Sequence, residues 1–284
     1  MTSDTVSAFA AALRVPQGPV DLTALATHTT PAFDGGKAEG RSALEALGPE
    51  LADLQEQLFA NGRTGGACRL LLVLQGMDTS GKGGTLRATV GLVDPQGVRI
   101  TSFKAPTEEE RAHDFLWRVD RALPVPGEIG VFDRSHYEDV LIGRVRRLAP
   151  AAEIERRYAA INDWEEMLAA GGVTIVKCML HISRDEQKQR LLERLDRPDK
   201  HWKFNPGDID EREVWPDYRR AYEIAIERTN TDHAPWHVIP ADRKWYRNLA
   251  VAELLLGALQ GMGLTWPEAD FDVESERTRL LTEG

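Results

Sequence analysis

Five short apolar runs punctuate the chain, each followed by a stretch of helical periodicity: Arg69 to Gln75, Val98 to Phe103, Glu128 to Phe132, Val173 to Ile182 and Trp236 to Pro240. Segments such as LLLVLQ and VTIVKCMLHIS are almost continuously hydrophobic, which predicts strands covered on both faces. Strand and helix in alternation predict an α/β fold, a mostly parallel five-stranded sheet flanked by helices in three layers. Helix starts are marked by capping boxes, predicted at Thr107 with Glu110, Ser183 with Glu186, and Asp208 with Glu211. A long helix from Pro150 to about Ala170 closes on Gly171 and Gly172, which supply a left-handed cap.

Residues 1–40, with VPQGP and DGG, read as an irregular arm, and residues 266–284 as a short acidic tail. No Pro/Gly/Ser-rich linker interrupts the middle, so 41–265 is expected to form one domain. Hydrophobic residues make up 42% and charged residues 28% of the 284 positions, which excludes disorder as the main state. Two cysteines, Cys68 and Cys178, cannot build a disulfide framework or a four-ligand zinc site; both are expected to be buried thiols in a reducing, cytoplasmic setting. The N-terminus lacks the basic start of a secretory signal, and no apolar run approaches the ~18 residues of a membrane span. A formal charge of −10 argues against a nucleic-acid-binding surface.

The first run leads straight into Gly76-Met77-Asp78-Thr79-Ser80-Gly81-Lys82, a G-x4-G-K pattern with a strand before it and a helix after it. In that setting Gly76, Thr79, Ser80, Gly81, Gly83 and Gly84 can curl backbone amides round a phosphate, with Lys82 adding a point charge. The usual hydroxyl after the lysine is replaced by Gly83, so any metal needs another ligand. Asp78, a carboxylate inside a phosphate loop, is the candidate. A second is Asp133, ending the apolar run Ile129-Gly130-Val131-Phe132 at the ligand-binding edge of a parallel sheet. Arg134 follows, placed to neutralise a transferred phosphoryl group. Ser135, His136, Tyr137, Glu138 and Asp139 then crowd polar chemistry into one helix start.

From Arg184 to Lys203 the chain carries seven Lys or Arg against five Asp or Glu, reversing the overall sign. It breaks at Pro198 and reads as a lid, about 184–217. Arg190, Arg194 and Arg197 share one helical face and are placed to reach a phosphate chain, unless intrahelical pairs such as Arg190 with Glu193 absorb them. Trp202 and Phe204 are placed either to cover a base or to staple the lid to the core. No Ser/His/Asp triad order is legible, and the histidines lack metal-ligand spacing. Phosphoryl transfer remains, which needs positioning and charge more than a reactive side chain.

Taken together, LQGMDTSGKGGT, SFKAPTEEERAHDFLWR, GVFDRSHYEDVLIGRV, KHWKFNPGD and APWHVIPADRKWYRN resemble the polyphosphate kinase 2 family over residues 40 to 262. The resemblance implies a P-loop kinase fold with a helical lid, and reversible phosphoryl transfer between inorganic polyphosphate and adenine or guanine nucleotides. It implies magnesium or manganese held by Asp78 and Asp133, and a homo-oligomer, dimer or tetramer. The implied catalytic set is Asp78, Lys82, Asp133, Arg134 and Arg194. Lys104, Glu138, Arg190, Arg197 and Lys203 join the glycine loop as binding residues, the cations among them lining a cationic groove. The sequence is most similar to members that accept both AMP and ADP, yet those carry Asn where Asp133 stands. Two other readings share the loop: an ATP-dependent P-loop kinase, and a P-loop protein that senses a nucleotide without transferring phosphate.

Overall fold

The structure, a computed structural model, describes residues 7–283. β1 (Arg69–Gln75), β2 (Val98–Ser102), β3 (Ile129–Asp133), β4 (Val173–His181) and β5 (Trp236–Pro240) form one sheet in the order β2-β3-β1-β4-β5. Every pairing is parallel. Along β1 the side chains alternate between two cores, which is why the strand had to be apolar throughout. Leu71 and Val73 pack with Ile154, Tyr158, Tyr222 and Ile226, from helices Ala151–Ala170 and Trp215–Thr229. Leu70, Leu72 and Leu74 pack on the other face with Leu51, Leu58, Leu249 and Leu255, from helices Gly48–Arg63 and Lys244–Gly261. Each fully buried leucine contributes about 1.5–3 kcal/mol, and the three-layer sandwich follows.

The arm is more ordered than its composition implies. Ala8–Leu13 is helical, Arg14 bridges His237 antiparallel, and the Val15 N–H donates to Trp236 O (3.0 Å). Leu13, Val15 and Leu22 are buried. Stitching the chain start to β5 covers backbone that an edge strand would leave unpaired. In the tail, Val273–Thr282 is a helix capped by Asp272.

Two of the three expected helix starts hold. Thr107 and Glu110 exchange both bonds of a capping box (3.2 and 2.8 Å), and Ser183 Oγ accepts from the Glu186 N–H (3.1 Å). Asp208 does not cap: helix Gly207–Glu213 already includes it, and Asn205 Oδ1 accepts from the Gly207 N–H instead (3.0 Å). Asp208 and Glu211 are drawn to arginines. Gly172, at φ +85°, carries the left-handed step after the long helix. Cys178 is buried as expected, whereas Cys68 is half-buried, lying just ahead of β1. No described helix is long and apolar enough to cross a membrane.

Candidate active site

The order of the sheet reverses at β1, and the crevice beyond the C-terminal ends of β1 and β3 is where an open parallel sheet holds its ligands. There the chain leaves Gln75, turns through the glycine loop and enters helix Lys82–Thr89. Gly76 (φ +152°) cannot be replaced without strain, since a Cβ would sit 2.7 Å from Ser80 Oγ and 2.8 Å from Leu180 O. At Gly81 (φ +102°) a Cβ would overlap the Arg247 guanidinium. Thr79 and Arg134 hold left-handed conformations (φ +62° and +64°) despite their side chains, the kind of backbone strain that persists where the surroundings enforce it. Thr79 Oγ1 and Ser80 Oγ are buried without a hydrogen-bond partner, and a helix start such as this one leaves N–H groups without intrahelical acceptors, the feature anion sites use. Gly84 lies against Arg247 and Gly83 borders open space, so neither offers a hydroxyl.

Register places Asp133 beside Leu74. The Arg134 N–H then donates to Leu74 O (3.1 Å), and the Arg134 guanidinium turns back to Asp78 Oδ1 (3.0 Å). Lys82 donates to Gly76 O (2.7 Å). Burial, then Arg134, pushes its ammonium below the ordinary lysine value, while Asp78, Asp133 and Glu138 pull it back. All three carboxylates thus bear electrostatically on one ammonium. For Arg134, burial works against the charge but Glu138 and Asp78 outweigh it. Burial lifts Glu138 above the usual carboxylate range against the pull of Arg134 and Lys82. The Gln75 amide, with its nitrogen donating to Glu138 Oε1, accepts from Ser135 N and Oγ, each at 3.0 Å.

Opposite this wall stands the lid: helix Arg184–Asp196, a turn at Pro198–Lys203 and helix Gly207–Glu213. Between the two lies a cavity of about 300 Å³ bordered by Asp78, Arg134, Glu138, Asp208, Trp215 and Tyr222, among others.

The three lid arginines part company. Arg194 stays near the site, donating to Lys203 O (3.0 Å) and Asp208 Oδ2 (3.3 Å). Arg190 does not reach for phosphate: all five of its donors are committed, to Glu186 Oε1, Thr79 O, Ser80 O, Ala241 O and Asp242 O at 2.6–3.0 Å. It braces the loop from below. Arg197 is also withdrawn, paired on the surface with Asp199 (2.9 Å) and Glu193 (3.5 Å). Lys203 sits 4.8 Å over the Trp202 ring, and burial together with Lys200, Arg87 and Arg194 lowers its pKa. Trp202, at 78% exposure, neither covers the cavity nor staples the lid. Lys104 stands exposed beyond β2, its carbonyl held by Arg118 (2.8 Å).

Four supporting residues escaped the sequence reading. The Tyr222 hydroxyl accepts from the Gly76 N–H (3.0 Å), Gln187 donates to Asp78 O (3.0 Å), and Arg247 donates to Ser80 O (2.9 Å). Lys177, wholly buried in β4, donates to Glu165 Oε2 (2.6 Å), the Tyr137 hydroxyl (2.9 Å) and Thr229 O (2.7 Å). A lysine inside VTIVKCMLH was the one signal available for it.

The sequence model of the polyphosphate kinase 2 family matches residues 35–265. The chain belongs to the polyphosphate kinase 2 family. Among solved structures, the crystal structure of polyphosphate kinase 2 from Arthrobacter aurescens TC1 superposes with a TM-score of 0.93 at 56% identity, over 95% of each chain. The AMP/ADP-polyphosphate phosphotransferase of Meiothermus ruber is 48% identical over 255 residues, 90% of this chain and 94% of the relative. The ADP-polyphosphate phosphotransferase of Rhodopseudomonas palustris is 39% identical over 268 residues, 90% of this chain and 91% of the relative. Family membership and the parallel sheet agree with the expected fold.

Proposed function

We propose that this enzyme moves a phosphoryl group from inorganic polyphosphate to ADP, and to AMP, and that the transfer runs in both directions. The observation that carries this reading is a glycine loop opening a helix at the C-terminal edge of the sheet, with Asp78, Arg134 and Glu138 lining the cavity between loop and lid and Arg134 bonded to Asp78. The loop amides and Lys82 would hold the donor phosphate, the cavity the acceptor. Arg134 lines the cavity beside Asp78, and Arg194, once released from Asp208 and Lys203 O, would add its charge. The acceptor's terminal oxygen is already ionised, so no general base is required.

Asp78 and Asp133 suit magnesium, a hard cation that takes one or two carboxylates and leaves its other positions to water and phosphate. Among the described residues no cluster of three His, Cys, Asp or Glu forms an all-protein cage, so phosphate oxygens would complete the shell. When bound, the metal offsets charge on the phosphates that flank the transferred group. We further place the enzyme in the cytoplasm as a homo-oligomer, dimer or tetramer.

Incubation with ADP, magnesium and long-chain polyphosphate should yield ATP, and with AMP should yield ADP. Product forming only from a nucleoside triphosphate donor would sink the assignment in favour of an ATP-dependent kinase. Asp133→Asn should keep measurable turnover and raise the AMP-to-ADP ratio of kcat/KM, because removing one negative charge beside the phosphates changes metal occupancy and the acceptor that fits. An unchanged ratio in parallel assays would dismiss Asp133 as a specificity determinant.

A further inference from the structure

Two arginines lie beneath the glycine loop, and they differ in one respect. Arg190 has a carboxylate, Glu186, at 2.8 Å. Arg247 has none. It is 3% exposed, and its partners are neutral oxygens: Ser80 O at 2.9 Å and Asn248 Oδ1 at 2.8 and 3.2 Å. Among the described residues no carboxylate forms an ion pair with it; the charge that bears on it is Arg190. Burial and that like charge lower its pKa to about 9.

A buried cation without a counter-charge is costly, and proteins keep such groups rarely. Here the expense falls one peptide layer beneath the loop. Gly81 has no side chain, so the guanidinium occupies the place a Cβ would need. Arg247 and Arg190 both draw the Ser80 carbonyl downward (2.9 and 3.0 Å), and a peptide whose C=O points down presents its N–H, that of Gly81, upward. Nη1 and Nη2 carry four N–H groups, of which Ser80 and Asn248 use one each.

We infer that Arg247 is a positioning residue for the polyphosphate donor: its carboxylate-free guanidinium orients the Ser80–Gly81 peptide toward the bound phosphate and supplies from below the charge that the phosphate completes. The counter-ion missing from the folded chain is the substrate. This rests on the glycine loop being the polyphosphate seat, as proposed above.

The test compares Arg247→Met and Arg247→Gln, which remove the charge, with Arg247→Lys, which keeps it. Thermal midpoints are read with and without tripolyphosphate, and steady-state rates over a polyphosphate series at saturating ADP. The wild type should be stabilised by tripolyphosphate. The two neutral variants should lose at least half of that stabilisation and show a polyphosphate KM raised tenfold or more, with the ADP KM little changed. Their ligand-free midpoints should match or exceed that of the wild type, because an unpaired buried charge is gone. Arg247→Lys should keep most of the ligand-induced stabilisation. A lower ligand-free midpoint with the tripolyphosphate response intact would show a merely structural brace and overturn the inference. So would failure of both neutral variants to fold together with a lysine variant that has lost the response. If the wild type itself shows no stabilisation, the seat reading fails first and this one with it.

Discussion

Replacing Lys82 with methionine is expected to lower kcat by about two to three orders of magnitude, ~3–4 kcal/mol of lost transition-state stabilisation. The ammonium is bonded to Gly76 O and feels the charges of Arg134, Asp78, Asp133 and Glu138, and in the proposed reaction it would meet the charge on the transferred phosphoryl group. Methionine keeps most of the side-chain volume and removes only the charge and the bond to Gly76 O (2.7 Å). That bond from a half-buried ammonium to a carbonyl accounts for at most about 1.5–3 kcal/mol of folding stability, so the variant should remain folded at 25 °C. Initial rates of ATP formation from polyphosphate and ADP, beside a denaturation curve, separate the two effects. Near-normal turnover in a folded Lys82→Met protein would remove the lysine from the catalytic set.

The largest expected effect on stability is at Lys177. Its ammonium is enclosed by Glu165, the Tyr137 hydroxyl and Thr229 O, with the Tyr137 and Trp236 rings 5.4 and 5.1 Å away. Burial would raise the Glu165 pKa, but Lys177 and His136 outweigh it and the carboxylate stays ionised. Lys177→Met strands that charge in a dry core, and breaking a buried pair in this way costs about 3–5 kcal/mol. Glu165 also accepts from the Tyr137 hydroxyl (2.8 Å) and lies 3.3 Å from His136 Nε2. Both belong to the turn that follows Asp133 and Arg134, so the loss should loosen that turn as well as the core. Adding Glu165→Gln should recover part of the stability by removing the stranded charge. Urea titrations of the single and double variants measure this; a single variant with the wild-type midpoint would refute it.

Strand positions were legible because burial on two faces leaves no polar position to blur a run, and each strand end fell within one residue of its expected place. The placement of Asp78, Lys82, Asp133 and Arg134 at one edge of the sheet was legible for a related reason: loop and strand tip are short-range features written in adjacent letters. The lid was harder to read. Arg190, Arg194 and Arg197 share a helical face in sequence, but whether a guanidinium meets substrate or carbonyls depends on what lies opposite. For Arg190 that was the underside of the glycine loop, supplied by residues more than a hundred positions away. The same holds for Tyr222 and for the bond from Arg247 to Ser80 O, whose partners are loop backbone atoms and carry no side-chain signature. Asp208 looked like a cap because it stood three residues before an acid, and no local pattern announced that Arg194 would claim it.

The pairing of β1 with β4 also governs how the molecule is made. Leu71 lies opposite Ile175, about a hundred residues later in synthesis, and contacts of such wide separation form slowly. On the ribosome the central strand must therefore wait for β3 to cover one hydrogen-bonding edge, and its other edge stays bare until the long helix and β4 emerge. During that interval the nascent chain is most open to mispairing and most in need of a chaperone.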